Sequence, residues 1–238
     1  MKIALVTQIR NESKRLEEWI DFHYRFYDFD LFQFYLDNPE DDSKEVLEKL
    51  STKYNINYKH TNPVGEYQGN NCRVAVHRQL ESFKDGFHSL KRDYDWIAIF
   101  DVDEWLVPVD ITNFNLKEDL SNYEKNNLYI PMYNFVPPFN YEKSILDQNF
   151  LRWTDDERVR YKHDQCGKSF NRGKICLDDD NCSVDVHFGP DKGEFRGDLD
   201  TFSKNHKYRL HQFQFHMTHE HSNYEEYDDS IKKMILNK

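Results

Sequence analysis

The first hundred residues restrict the possible folds most, because short apolar runs alternate there with segments of helical period. Residues 3–9 form an apolar run of the length expected for a buried strand. Asn11-Glu12-Ser13 breaks it, and over residues 14–26 the positions Leu16, Trp19, Ile20, His23 and Tyr24 recur at helical spacing, with Glu17, Glu18 and Asp21 between them. Residues 31–36 form a second strand, closed by Asp37-Asn38-Pro39. Ser43 can cap a helix running to Leu50. A third strand follows at 56–59, a third helix at 73–87, and then Trp96-Ile97-Ala98-Ile99-Phe100, the clearest buried strand of the chain. This order predicts an α/β fold with a mainly parallel central sheet flanked by helices and right-handed crossovers. Ligands of such sheets bind beyond the carboxyl ends of the strands.

The second half is less regular. Residues 128–135 predict a strand, and Pro137-Pro138 a turn. Residues 153–180 are polar, carry Gly167 and Gly173, and suggest loops over the site. Late strands are expected at 183–188 and 210–217, and a closing helix at 224–236. No repeat or low-complexity linker divides the chain, so residues 1–238 are expected to form one domain. Within it, the regular half, residues 1–110, is expected to bind the ligand at its strand ends, and residues 111–238 form the other half.

A length of 238 residues allows a core that needs no staples. With Lys plus Arg at 32 against Asp plus Glu at 43, the formal charge is −11, which repels phosphate backbones and argues against nucleic-acid binding. A bound cation can still reverse the field locally for a small anionic ligand. The aromatic content of 16% suits stacking on sugars, although core filling is its commoner use. Cys72, Cys166, Cys176 and Cys182 contain no CxxC pair and fit no common zinc spacing. The apolar run at residues 1–6 is too short for a signal peptide, and no stretch approaches the ~18 apolar residues of a membrane helix. The expectation is a cytoplasmic protein with reduced thiols and no integral membrane segment.

Asp101-Val102-Asp103-Glu104 carries the strongest chemical signal. A buried strand delivers it to the sheet edge, and in extended geometry Asp101 and Asp103 would point the same way, toward one hard cation. Like charges this close are costly unless a cation neutralises them. A bare D-x-D is common in acidic proteins; its place at the end of a buried strand is what gives it weight. Six of the eleven histidines, His187, His206, His211, His216, His219 and His221, fall late in the chain. Most are ordinary, but His216, alternating with aromatics, is the favoured third metal ligand. Thr7 toward the end of the first strand, Arg10 and Glu12 past it, and Asp37 and Asn38 past the second would line a nucleoside crevice. Neither GxGxxG nor GxxxxGK[ST] is present, which disfavours a classical dinucleotide fold and a P-loop. Lys162, Lys168, Arg172 and Lys174 could meet a diphosphate or an acidic acceptor, or simply lie on a solvated loop.

These segments together resemble glycosyltransferase family 92 and related family 2-like proteins. Arg10-Asn11-Glu12 with Glu18-Trp19 and His23 is similar to their opening "NE…EW…H", and Tyr35, Asp37-Asn38 and Ser43 to their "Y-DN-S" segment. Asp95-Trp96 followed by Asp101, Asp103-Glu104 and Pro108 is similar to their "D-W…D-DE-P" signature. Gly167-Lys168-Ser169 with Arg172 and Val186-His187 resembles a later element, and His216, Ser222, Glu225-Glu226 and Lys232 a terminal one.

The resemblance implies a single GT-A (Rossmann-like) domain, Mn²⁺ or Mg²⁺, and a nucleoside-diphosphate sugar donor, a UDP-sugar first among them. A hydroxyl of a glycan or small molecule would be the acceptor, and transfer would invert. Asp101, Asp103 and His216 would hold the metal, and Thr7, Arg10, Glu12, Asp37, Asp101, Val102 and Lys168 would bind the donor. Asp155, Asp156 and Glu157 are the candidate bases, with Asp164 a further one. A metal-dependent phosphohydrolase and a non-catalytic nucleotide-sugar-binding module are the alternatives, separated by incubation with Mn²⁺ and a panel of nucleotide sugars.

Overall fold

A computed structural model describes residues 1–61, 72–124, 127–136, 144, 151–153, 167–173, 184–185, 189–190, 207–213, 224–227 and 230–236. Its first half alternates β1 (Ile3–Ile9), α1 (Ser13–Tyr27), β2 (Leu31–Leu36), α2 (Ser43–Leu50), β3 (Ile56–His60), α3 (Cys72–Leu90) and β4 (Trp96–Ile99). The strands lie side by side in the order β4-β1-β2-β3, all parallel, with Val6 opposite Ile99 and Gln8 opposite Tyr35. From β1 the chain steps outward to β2 and β3, then returns to the far side of β1 as β4. The reversal leaves a crevice beyond the carboxyl ends of β1 and β4.

Both faces of β1, β2 and β4 are covered, which is why these strands are largely apolar, whereas the edge strand β3 is polar and mostly exposed beyond Ile56. Ile3, Leu5 and Ile9 of β1, with Phe32, Phe34 and Leu36 of β2, pack with Leu16, Trp19 and Ile20 of α1 and Leu47 of α2. Ala4, Val6, Leu31, Tyr35, Ile97 and Ile99 point the other way, against Phe83 and Phe87 of α3. Gly86 lets α3 approach closely, since a Cβ there would lie 2.5 Å from Val6 Cγ1. The turns leaving β1 and β2 pass through Asn11 (φ 57°) and Asn38 (φ 46°), left-handed conformations that Asn adopts more readily than most residues.

Beyond β4 come β5 (Glu104–Pro108), α4 (Leu116–Ser121), β6 (Asn127–Val136), β7 (Leu151–Trp153), β8 (Gly167–Arg172), β9 (Val184–Asp185), β10 (Gly189–Pro190), β11 (Tyr208–Phe213), β12 (Tyr224–Tyr227) and α5 (Ser230–Leu236). β8 inserts antiparallel between β4 and β6, so the parallel half grows into a mixed sheet. β6 continues beside β11 and β7, and β5 pairs antiparallel with β11.

Two expectations change here. Part of the polar 153–180 segment is strand β8, and ladders on both of its edges supply the pairing that its polar sequence does not advertise. The expected helix at 224–236 is divided. Tyr224–Tyr227 pairs with β7 as a strand, and only Ser230–Leu236 is helical. No helix among the described residues is long and apolar enough to cross a membrane.

Candidate active site

The chain leaves β4 through a tight turn rather than in extended form. The Glu104 amide donates to the Asp101 carbonyl (3.0 Å), and the Asp101 amide donates to Glu104 Oε2 (2.8 Å), so the turn is closed from both ends. Val102 is buried at its centre and anchors it. The turn brings Asp101, Asp103 and Glu104 together, with one carboxylate oxygen from each lying within 4.8 Å of the others. Glu104, unlike its half-buried neighbours, is fully buried. At such spacing each ionised pair repels by roughly 3 kcal/mol at an effective dielectric of 20. Hard oxygen donors converging in this way fit Mn²⁺ or Mg²⁺.

Helix α1 fixes the turn from behind. Every fourth residue of its buried face reaches the backbone of β5 on the edge away from β11. Trp19 Nε1 donates to the Glu104 carbonyl (2.7 Å), His23 Nε2 accepts from the Leu106 amide (3.3 Å), and the Tyr27 hydroxyl donates to the Leu106 carbonyl. His23 Nδ1–H donates to the Trp19 carbonyl (2.9 Å), which defines its neutral tautomer. Complete burial holds the His23 pKa down at about 3, against a small opposing effect of the Trp19 carbonyl. The aromatic stripe therefore ties the acidic turn to the core as well as filling it.

Helix α3 grips the site from the opposite face. Arg78 donates through Nε to Asp37 Oδ1 (2.6 Å) and through Nη2 to Asp37 Oδ2 (2.9 Å), and both side chains are only 3% exposed. Thr61 Oγ1 adds a bond to Asp37 Oδ1. Asp37, expected at the nucleoside, thus has its two oxygens engaged from within the chain. The next residue, Gln79, donates through Nε2 to Asp101 Oδ1 (2.7 Å).

At the end of β1, Thr7 is 1% exposed and its hydroxyl has no hydrogen-bond partner among the described residues, nor has Gln8 Oε1. The loops after β1 and β2 are laced together by Glu40 N–H to Asn11 Oδ1, Glu12 N–H to Ser43 Oγ and Ser13 N–H to Asp41 Oδ2. They enclose a pocket of about 320 Å³ lined by residues 11–15 with Glu40 and Asp41. Glu12 lies in its wall, 2.8 Å from Arg15. Burial lifts the Glu12 pKa to about 7, with the Asp41 and Asp101 charges adding to the rise and Arg15 opposing it. Arg10, 3.7 Å from Glu40, is part-exposed at the rim.

Thr7, Arg10, Glu12, Asp37, Asp101, Val102 and Asp103 thus share the carboxyl-end side of the parallel sheet. Lys168 lies in β8, next to the Ser169 that pairs with Ile99 at the end of β4. His216, Asp155, Asp156 and Glu157 lie outside the described residues. Sequence reasoning placed Glu104 in the acidic stretch without making it a metal ligand, and missed Arg78 and Gln79. Arg78 left a signal, since a charged residue on the apolar side of a helix needs a buried partner. Gln79 left none.

The sequence profile of glycosyltransferase family 92 matches residues 6–188. No curated protein matches the chain. Among solved structures the fold is similar to Staphylococcus aureus TarS 1–349 in complex with UDP, at 12% identity and a TM-score of 0.50. The match covers 90% of this chain and 60% of that one. The complex of TarS 1–349 with UDP-GlcNAc matches at 14% identity and a TM-score of 0.46, over 77% and 48%. The chain therefore spans about 60% of the TarS fragment's length, and the likeness is one of fold, the GT-A arrangement.

Proposed function

The chain belongs to glycosyltransferase family 92, and we propose that it moves a sugar from a nucleoside-diphosphate sugar, a UDP-sugar first among the candidates, to a hydroxyl of a glycan or small-molecule acceptor. One observation carries the reading: Asp101, Asp103 and Glu104 converge at the carboxyl end of β4, beside β1, where the strand order of the parallel sheet reverses. The UDP bound by the TarS fragment of similar fold supports a uridine donor.

In this reading Asp101, Asp103 and Glu104 hold Mn²⁺ or Mg²⁺, with His216 as a further ligand. The bound ion would act as a Lewis acid, stabilising the charge that builds on the diphosphate leaving group. Thr7 offers its buried hydroxyl to the nucleoside. Asp37, held rigid by Arg78, forms the floor of the crevice, and Arg10, Glu12 and Lys168 would bind the diphosphate side of the donor. Asp155, Asp156 or Glu157 accepts the proton of the acceptor hydroxyl as its oxygen attacks the anomeric carbon. The attack comes opposite the departing diphosphate, so transfer inverts. Residues 1–110 bind the donor and 111–238 the acceptor side, in a single cytoplasmic domain.

The test is Mn²⁺-dependent hydrolysis of UDP-sugars in the absence of acceptor. The wild type should release UDP slowly, and Asp103→Asn should abolish the release while circular dichroism stays unchanged. Equal release by both proteins would sink the assignment.

A further inference from the structure

Gln79 touches one of the three carboxylates without belonging to the acidic turn. Its Nε2 donates to Asp101 Oδ1 at 2.7 Å, from the helix packed on the other face of the sheet. That helix is immobilised where Gln79 leaves it. The neighbouring Arg78 is anchored in a two-bond contact with buried Asp37. One to two turns on, Phe83 and Phe87 are fully buried and Gly86 rests against Val6. Two adjacent residues of α3 therefore hold the acidic residues that end two different strands, Asp37 after β2 and Asp101 after β4.

The two holders differ in chemistry. Arg78 brings a full positive charge and neutralises Asp37. The Gln79 amide donates one hydrogen bond, orients the carboxylate and leaves its negative charge intact. A neutral donor is what a metal ligand requires of its neighbour, because a Lys or Arg in the same place would compete with the cation.

We propose that Gln79 is a positioning residue of the divalent-cation site, orienting Asp101 for the ion. This rests on the reading of Asp101, Asp103 and Glu104 as that site. Gln79 tunes cation affinity rather than the chemical step, and it couples the cation site to the Arg78-held nucleoside crevice through one rigid helix.

Titration of the full chain with Mn²⁺ alone, following free Mn²⁺ by electron paramagnetic resonance, tests it on wild type, Gln79→Met, Gln79→Ala and Asp103→Asn. Met keeps the length of the side chain and Ala is the stronger helix former, so both should fold. Both Gln79 variants should raise the Mn²⁺ dissociation constant about 10- to 100-fold, with an unchanged metal-free melting temperature and a donor-hydrolysis rate that recovers at saturating Mn²⁺. Asp103→Asn should show no binding. If Asp103→Asn abolishes binding and the Gln79 variants bind as the wild type does, the role of Gln79 is overturned and the metal site stands. A loss of affinity that tracks a fall in melting temperature also overturns it. A wild type that takes up no Mn²⁺ overturns both readings.

Discussion

Asp37 and Asp101 end neighbouring parts of the same parallel sheet, yet the chain treats their charges in opposite ways. Asp37 is buried against Arg78, so its charge is balanced as the protein folds. Asp101 is gathered with Asp103 and Glu104, with a neutral amide as its donor from α3. One arrangement builds a rigid floor, and the other concentrates negative charge where a cationic ligand can collect it. An acidic residue at a strand end thus carries little functional meaning until its partners are known.

Substitutions that separate charge balance from charge storage sharpen this contrast. The largest effect is expected in catalysis: Asp103→Asn should lower Mn²⁺-dependent UDP-sugar turnover about 1000-fold or more, while metal-free stability holds or rises as repulsion is relieved. Arg78→Ala should do the reverse to the fold. It leaves the Asp37 carboxylate buried and uncompensated, at a cost of about 3–5 kcal/mol in urea unfolding. If Arg78→Ala were neutral and Asp103→Asn unfolded the protein, the contrast would be the wrong way round.

A smaller effect concerns pH. The His23 pKa lies at about 3 in the folded chain against an ordinary 6.5, so the unfolded chain takes up a proton first as the pH falls. The resulting stability is complete above pH 6.5 and is lost downward toward pH 3, a contribution of about 2 kcal/mol by pH 5. Glu12, raised to about 7 from 4.5, has the opposite slope, since the folded chain keeps its proton where the unfolded chain has released it. Its contribution is present below pH 4.5 and is lost as the pH rises through 7. The two oppose one another between pH 4.5 and 6.5. Glu12→Gln should expose the His23 slope, making unfolding midpoints fall more steeply with acid than in the wild type; parallel curves would refute the pairing.

The smallest effect is expected at Thr7. Thr7→Val removes a buried hydroxyl that has no partner among the described residues and should stabilise the metal-free protein by about 1 kcal/mol, while weakening UDP binding measured by calorimetry.

How legible these features were in the sequence follows from their physics. Most of the parallel half was readable because β1, β2 and β4, buried on both faces, are largely apolar runs, and α1 carries its aromatic residues at helical spacing. The rest depends on partners distant in the chain. β8 contains one apolar residue, Phe170, and is a strand because β4 and β6 flank it. Tyr224 and Tyr227 have helical spacing, yet pairing with β7 prevails. The D-x-D was visible, but the extended geometry assumed for it was not what unites the carboxylates. A turn does so, and its reciprocal bonds also bring in Glu104. Trp19 and His23 were legible as core residues, whereas their bonds to the β5 backbone require knowing where β5 lies.

Thermal unfolding of the wild type and Asp103→Asn, each alone, with Mn²⁺, and with Mn²⁺ plus UDP, tests the central claim most directly. A ligand that binds only the folded state raises stability in proportion to its occupancy. The wild type should gain melting temperature with Mn²⁺ and gain again with UDP, and Asp103→Asn should gain from neither. Equal gains in the two proteins, or none in the wild type, would contradict the assignment of the acidic turn as the site that receives the cation and the donor.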